Sequence, residues 1–277
     1  MFPTPWLYAT SRVSQRVPAA IAATVAAVFL AAPVQAQVSQ FEPRVGQEGK
    51  DVVWVPTPQG LVERMLDIAE VKPGEFLIDL GSGDGRTVIT AAKRGLRAHG
   101  IEYNADMVAL AERAARDAGV AGQATFAQGD LFEADLSQAN VITLFLLPSI
   151  NEKLSPTLLA LKPGTRIVSN SFRMGDWESD DSSTVDEDCS RWCTALLWYV
   201  PANVDGEWVL DGQPLQFQQT YQRLGGTLGQ AAISDGALRG SEIAFTAGDA
   251  RYVGVVDGDT MQGKVEGSGR TWQAARR

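Results

Sequence analysis

Histidine and cysteine are nearly absent from this chain, and their scarcity removes several chemistries at once. The one histidine, His99, lies in "RAHGI" at the start of an expected strand. That is far from the strand ends where α/β sites are built, so no Ser-His-Asp constellation and no histidine base is assigned. The two cysteines, Cys189 and Cys193, cannot by themselves close a zinc site, which takes four ligands; no metal site is expected. Three residues separate them, one more than in a redox motif. They form either a disulfide closing a small loop or two free thiols. Positive charge is also in deficit, with 24 Lys and Arg against 33 Asp and Glu. Nucleic-acid binding rests on Lys and Arg contacts to phosphate, so no nucleic-acid partner is expected. The apolar run over residues 19–32 holds 14 residues, short of the roughly 20 that a membrane span needs.

That run has another reading. Arg12 and Arg16 precede it, and "APVQA" follows, with Val34 and Ala36 ahead of Gln37. A basic start, a short apolar stretch and a small-residue cut site describe a secretory signal over residues 1–36, the alternative being an uncleaved membrane anchor. An exported, periplasmic protein with no stable membrane span after cleavage is expected. Loss of the signal leaves 22 basic against 33 acidic residues, a net charge of −11. Such a surface suits a soluble protein and is compatible with a basic protein substrate. In an exported protein the cysteine pair can persist as a disulfide.

From residue 37 the hydrophobic pattern alternates between periods. Thr57 and Pro58 read as the cap and first turn of a helix with Leu61, Met65 and Ile68 on one face. Strands are expected at "FLIDL", "RAHGIEYN", "ATFAQGD", "NVITLFLL" and "TRIVSNSF", with helices over about 87–94, 105–119 and 150–161 between them. Pro156 should bend the last helix or delay its start. Strands alternating with helices specify a doubly wound, mostly parallel Rossmann-like α/β sheet, assigned to residues 37–203. "RMGDWESDDSSTVDEDCS" carries seven acids and no apolar period; it reads as a solvated loop or an acidic lip facing substrate. "CTALLWYV" is an apolar strand with "EWVL" as a candidate partner. Over 204–277 short alternating segments separated by "LGG", "SDG", "AGD" and "DGD" specify an antiparallel β-module, open or closed. Its aromatics Phe217, Tyr221, Phe245, Tyr252 and Trp272 read as core.

The chemistry lies in "FLIDLGSGDGR", a strand running into three alternating glycines. A phosphate-binding loop would end in Gly-Lys-Ser/Thr, and no lysine is present. A dinucleotide fingerprint needs its third small residue where Arg86 stands. The spacing Gly81-x-Gly83-x-Gly85 after Asp79, with Ser82 inside it, instead resembles the first motif of class I S-adenosylmethionine-dependent methyltransferases. Its companions come in order. Glu102 ends the second strand, 21 residues after Gly81, where an acid can accept from both ribose hydroxyls. Asp130 follows the third strand, where a carboxylate can meet the adenine amino group and Leu131 can flank the ring. The resemblance implies S-adenosyl-L-methionine as cofactor, held by Asp79, Gly81, Ser82, Gly83, Gly85, Glu102, Asp130 and Leu131. Asp79 and Asp84 suit a ligand with a sulfonium and an ammonium and no phosphate.

Over about residues 50–175 the chain is similar to the small protein-lysine methyltransferases related to those modifying the ATP synthase c subunit and the adenine nucleotide carrier. "VWVPTP" ahead of the first helix carries this likeness together with the glycine loop and "GIEYN". The resemblance implies that Val55, Pro56 and Thr57 help to close the cofactor and lysine site. It also implies methyl transfer to a protein lysine amine. After the fourth strand the chain has "LLPSI" rather than Asn/Asp-Pro-Pro-aromatic, which leaves Leu147 and Pro148 as acceptor-side residues and backbone carbonyls near Leu146 and Leu147 to orient the amine. No catalytic residue is named. A small-molecule methyltransferase and an exported binding or scaffold protein without catalysis stand as alternatives, and a nicotinamide oxidoreductase is disfavoured by the loop spacing.

Overall fold

Helix and strand alternate as the hydrophobic periods require: α1 (Gln59–Ile68), β1 (Phe76–Leu80), α2 (Arg86–Lys93), β2 (Arg97–Glu102), α3 (Ala105–Asp117), β3 (Ala124–Gln128), β4 (Val141–Leu144), α4 (Pro148–Leu159) and β5 (Arg166–Asn170). Two further strands, β6 (Asp181–Thr184) and β7 (Thr194–Tyr199), complete a seven-stranded sheet in the order β3-β2-β1-β4-β5-β7-β6. The computed structural model describes residues 41–277, so the signal expected over 1–36 lies outside the described residues. No helix among the described residues is long and apolar enough to cross a membrane.

The first five strands run parallel, and β7 lies antiparallel to both β5 and β6. β1 and β4 are buried along almost their whole length, as central strands covered on both faces must be. One face packs Leu61, Met65 and Leu66 of α1 with Val88 and Ile89 of α2 against Leu77 and Val141. The other packs Ile150, Leu154 and Leu158 of α4 against Ile78, Ile142 and Ile167. Because the order reverses between β1 and β4, their carboxyl ends open a crevice there, the place where open α/β sheets bind ligands.

Local chemistry sets the helix ends. Asn104 accepts from the Asp106 and Met107 N–H groups and so caps α3. α1 closes with Val71 N–H on Leu66 C=O and Glu70 N–H on Asp67 C=O, Glu70 taking a left-handed φ of 48°. The carbonyls left over at Ala69 and Glu70 accept from the buried Arg166 guanidinium, which also pairs with Glu75. Thr57 does not cap α1, contrary to expectation. Pro58 occupies that position, and the Thr57 hydroxyl accepts from Asn170 Nδ2 at 3.4 Å. α4 does not start late at Pro156; it opens on Pro148 and runs through Pro156 to Leu159.

The acidic stretch is not all loop. Met174 and Trp177 are buried, and Asp181–Thr184 pairs with β7 as an edge strand. Three of its four residues are exposed and none is buried, so it has no core-facing side to give an apolar period. "EWVL" does not partner β7; it belongs to β8 (Gly206–Leu210), the first strand of a separate sheet.

That second sheet continues through β9 (Gln213–Thr220), β10 (Arg223–Leu228), β11 (Ala231–Arg239), β12 (Glu242–Ala247), β13 (Ala250–Asp257), β14 (Thr260–Val265) and β15 (Thr271–Arg276). Each strand pairs antiparallel with the next, and β15 returns to β8, closing an eight-stranded up-and-down barrel. Closure leaves no exposed sheet edge. Trp208, Phe217, Phe245, Tyr252, Met261 and Trp272 fill its interior. The Trp272 indole lies across Gly254 and Gly263, where β-carbons would come within 2.6 and 2.8 Å of it. Tyr221 lies outside this core and stacks on Trp177 of the first sheet at 5.9 Å. Gln222 Nε2 to Glu178 C=O and Ala202 N–H to Gly240 C=O, both 2.8 Å, fasten the barrel beside it.

Candidate functional site

The crevice at the carboxyl ends of β1, β2 and β4 is lined by the glycine loop, by Glu102 to Asn104, by Gly129 to Leu131 and by Leu144 to Leu146; residues 47–57 also line it. Gly81 and Ser82 both donate their N–H groups to Ile101 C=O, which holds the loop against β2. Two of its glycines leave no room for a β-carbon unless a neighbouring side chain shifts. Gly83, at φ 53°, would set a β-carbon 2.6 Å from Trp54 Nε1. Gly85, at φ 81°, would set one within 2.8 Å of both Phe126 and Ala111. Ser82 turns its hydroxyl towards Gly100 of β2, where it is buried without a partner.

Glu102 is held in place before any ligand arrives. One carboxylate oxygen accepts from Gly83 N–H and the other from Asn104 N–H, both at 2.9 Å. Each oxygen keeps a lone pair for a further donor. Asp79 is 7 % exposed and accepts the Thr143 hydroxyl at 2.6 Å. Burial pushes its pKa up to about 7; the Thr143 hydrogen bond opposes this, and the neighbouring Asp84 and Glu102 add to it. Asp130 accepts from Phe132 N–H and from the Lys50 ammonium, and the Lys50 bond is the chief cause of its lowered pKa. Lys50 also lies over the Tyr103 ring, 5.1 Å from its centre.

The cations lining the crevice, Lys50 and Arg86, are both engaged. Arg86 forks onto Asp84 and donates to Thr57 C=O at 2.9 Å, tying the strap of residues 47–57 to the loop. Opposite them stand Asp79, Asp84, Glu102 and Asp130. A pyrophosphate would find repulsion here and, among the described residues, no free positive side chain. A cationic nucleoside with free ribose hydroxyls would find acceptors already oriented. The donor set therefore fits S-adenosylmethionine.

Among the residues singled out from sequence, Asp79, Gly81, Ser82, Gly83, Glu102, Asp130, Leu131, Val55, Pro56 and Thr57 all line the crevice. Gly85 stands just behind it as the residue that opens α2. Leu147 is 45 % exposed and Pro148 begins α4; neither is among the lining residues, whereas Phe145 and Leu146 are. His99 pairs with Thr125 at 2.8 Å away from the crevice. Cys189 and Cys193 form a disulfide. Sequence reasoning did not pick out Lys50, Trp54, Tyr103, Met107 or Phe145, all of which line the crevice. For Trp54 and Tyr103 a signal existed, since each is an aromatic residue directly beside a motif, in "VWVP" and "IEYN".

Residues 79–181 match a family described as the ANTKMT methyltransferase domain. A protein-lysine N-methyltransferase of Saccharolobus islandicus (strain REY15A) is 43 % identical over 139 residues, covering 49 % of this chain and 86 % of that protein. The adenine nucleotide translocase lysine N-methyltransferase of Mus musculus is 38 % identical over 119 residues, 42 % of this chain; the match spans only about half of that protein (52 %). Among solved structures, an RNA methyltransferase from Salinibacter ruber in complex with S-adenosyl-L-homocysteine is 47 % identical, with a TM-score of 0.51 over 54 % of this chain and 96 % of that one.

Proposed function

We propose that this chain, which belongs to the ANTKMT family of S-adenosylmethionine-dependent methyltransferases, transfers a methyl group to a lysine side-chain amine of a protein. The observation that carries the cofactor half is the crevice itself, lined with preset carboxylates and, among the described residues, with no free cation. The acceptor half is supported by the lysine methyltransferase that this chain matches over 86 % of its length, and by the chain's acidic balance.

When bound, S-adenosylmethionine supplies a methyl group already activated on a sulfonium, so the protein contributes mainly position. Glu102 would hold the ribose hydroxyls, Asp79 the cationic amino acid tail, and Asp130 with Leu131 the adenine. Leu146 makes its part of the crevice apolar, which favours the neutral form of an acceptor amine by raising the cost of its charge. No base is assigned to a side chain.

The neighbour named for RNA raises a second acceptor. A chain with 33 acidic and 24 basic residues is ill suited to a phosphate backbone. To decide, the full chain is given methyl-labelled S-adenosylmethionine with protein, RNA and small-amine fractions in parallel. Label recovered on lysine by mass spectrometry is the expected outcome; label confined to RNA or to small amines overturns the acceptor assignment.

The export reading is kept as part of this proposal, supported by Arg12, Arg16 and the apolar run after them, and by the disulfide. Fusion of residues 1–40 to a reporter active only outside the cytoplasm tests it: a silent reporter removes the periplasmic assignment.

A further inference from the structure

Three aromatic side chains from three separate loops meet beside the crevice; Phe145 lines it, and Phe172 and Trp192 are joined to it through Phe145. Phe145 follows β4 and lines the crevice, Phe172 follows β5, and Trp192 belongs to the loop closed by Cys189 and Cys193. Phe145 and Phe172 stack at 6.0 Å with 17° between their planes. Trp192 sets its ring 5.8 Å from Phe145 and 6.5 Å from Phe172. Trp192 is 39 % exposed, whereas Trp177, Trp198, Trp208 and Trp272 are buried.

This arrangement is held at a cost. Trp192 adopts a left-handed φ of 56°, and Ser171, just before Phe172, a φ of 61°; bulky residues rarely enter that region. Both loops are fastened. Ser171 N–H donates to Thr194 C=O at 2.7 Å, and the Ser171 hydroxyl accepts from Thr194 N–H at 3.3 Å. The buried Asn151 amide donates to the carbonyls of Phe172 and Arg173 at 3.3 and 3.2 Å, and the disulfide closes the Trp192 loop. Strained backbone that its surroundings secure, beside a reactive crevice, points to use rather than accident.

The charges nearby have a direction. Exposed Asp186, Glu187 and Asp188 run into Cys189; the exposed cations in these loops are Arg173 and Arg191. The three rings touch one another, so they present a wall rather than an enclosing cage. A long alkyl chain can lie along such a wall, and an ammonium at its end is attracted to the aromatic faces. A neutral chain of the same shape gains the first contact and not the second.

We propose that Phe145, Phe172 and Trp192 form the wall that receives the alkylammonium side chain of the acceptor lysine, with the acidic run 186–188 favouring basic residues around it. This rests on the lysine methyltransferase reading above. The test uses the full chain saturated with S-adenosyl-L-homocysteine and two probes: Nα-acetyl-lysine methylamide, and its analogue carrying a hydroxyl in place of the ammonium. Saturation-transfer NMR reads contact with the probe's terminal methylenes, and calorimetry reads affinity for S-adenosyl-L-homocysteine.

The lysine probe is expected to give about three-fold more saturation than the hydroxyl analogue, the size of an exposed cation–aromatic contact. Trp192→Ala and Phe172→Ala should each erase that preference while leaving S-adenosyl-L-homocysteine affinity within about two-fold, and Trp192→Phe should restore it. Equal signals from the two probes, or a preference that survives both alanine variants, overturns the wall. Failure of the wild-type chain to take up S-adenosyl-L-homocysteine would instead overturn the methyltransferase reading itself, and the wall with it.

Discussion

The sheet region and the barrel treat buried polarity in opposite ways. Of the buried polar or charged residues, Asp79, Ser82, Thr143, Asn151, Arg166, Ser169 and Asn170 are among the twelve in the sheet region, and Gln222 is the single one from the barrel segment. Every buried side-chain atom without a partner among the described residues, from Ser82, Asn151, Ser169, Asn170 and Trp177, also lies in the sheet region. Unsatisfied buried polar atoms each cost about 1–3 kcal/mol. Thr57, Asp79, Ser82 and Thr87 of the buried polar set line the crevice, and Ser82 alone among those four has an unpartnered atom, while the barrel interior is apolar. The contrast marks one region as the site of chemistry and the other as packing.

The comparison breaks most visibly in the barrel core. Trp272→Ala removes an indole packed on Phe245, Tyr252, Gly254 and Gly263. It should lower stability by about 3–5 kcal/mol, read by denaturant titration, without changing cofactor affinity at temperatures where the chain stays folded. Loss of cofactor binding in the folded variant would show that the two regions are coupled.

Glycine substitutions sharpen the contrast. Gly85→Ala must strain a left-handed backbone and collide with Phe126 and Ala111, so about 2–4 kcal/mol of stability should go, and cofactor binding with it. Gly258→Ala in a barrel turn shares the positive φ but faces open space, and should cost only about 1 kcal/mol.

Glu102→Gln keeps shape and loses charge. Calorimetry should show S-adenosylmethionine affinity falling by about 10- to 100-fold, the range of hydrogen bonds to a charged group. Because the amide nitrogen cannot accept from Gly83 or Asn104 N–H, stability should also fall by about 1–3 kcal/mol.

The pH dependence follows from Asp79. Its folded pKa of about 7 stands above the ordinary carboxylate value. Its contribution to stability is therefore fully present below the ordinary carboxylate range and is lost as pH rises through about 7, where the buried group must ionise. Binding a cationic ligand favours the ionised form, so affinity should rise by about ten-fold between pH 6 and 8, with a proton released. Asp79→Asn should flatten that profile; an unchanged profile would remove Asp79 from ligand contact.

The smallest effect is expected at Lys50. Its ammonium occupies Asp130, the carboxylate assigned to adenine. Lys50→Ala should tighten S-adenosylmethionine by no more than about two- to three-fold, since an exposed pair is screened by water.

Much of this was readable in the one-dimensional pattern, and the failures have physical causes. Gly81, Gly83, Gly85 and Glu102 could be found because strand, turn and strand end are set by neighbours in sequence. Thr57 was misassigned because a hydroxyl next to a proline has two outlets, a local cap or a distant partner, and Asn170 supplies the second. The edge strand β6 was missed because three of its four residues are exposed, so it carries no buried face to write an alternation into the sequence. "EWVL" was paired wrongly because an apolar strand specifies that it will be buried and leaves open which sheet buries it.

The order of elements, the switch from a parallel to an antiparallel texture, the glycine loop and its chain of carboxylates follow from residue types and spacing alone, since each depends on interactions within a few residues. The Lys50–Asp130 pair, the Arg86 tie to Thr57, barrel closure through β15 and β8 and the meeting of Phe145, Phe172 and Trp192 join segments 20 to 80 residues apart. No local preference specifies such contacts. They exist because the packed sheet brings its carboxyl-end loops to one edge and leaves each side chain a single uncrowded direction in which to point.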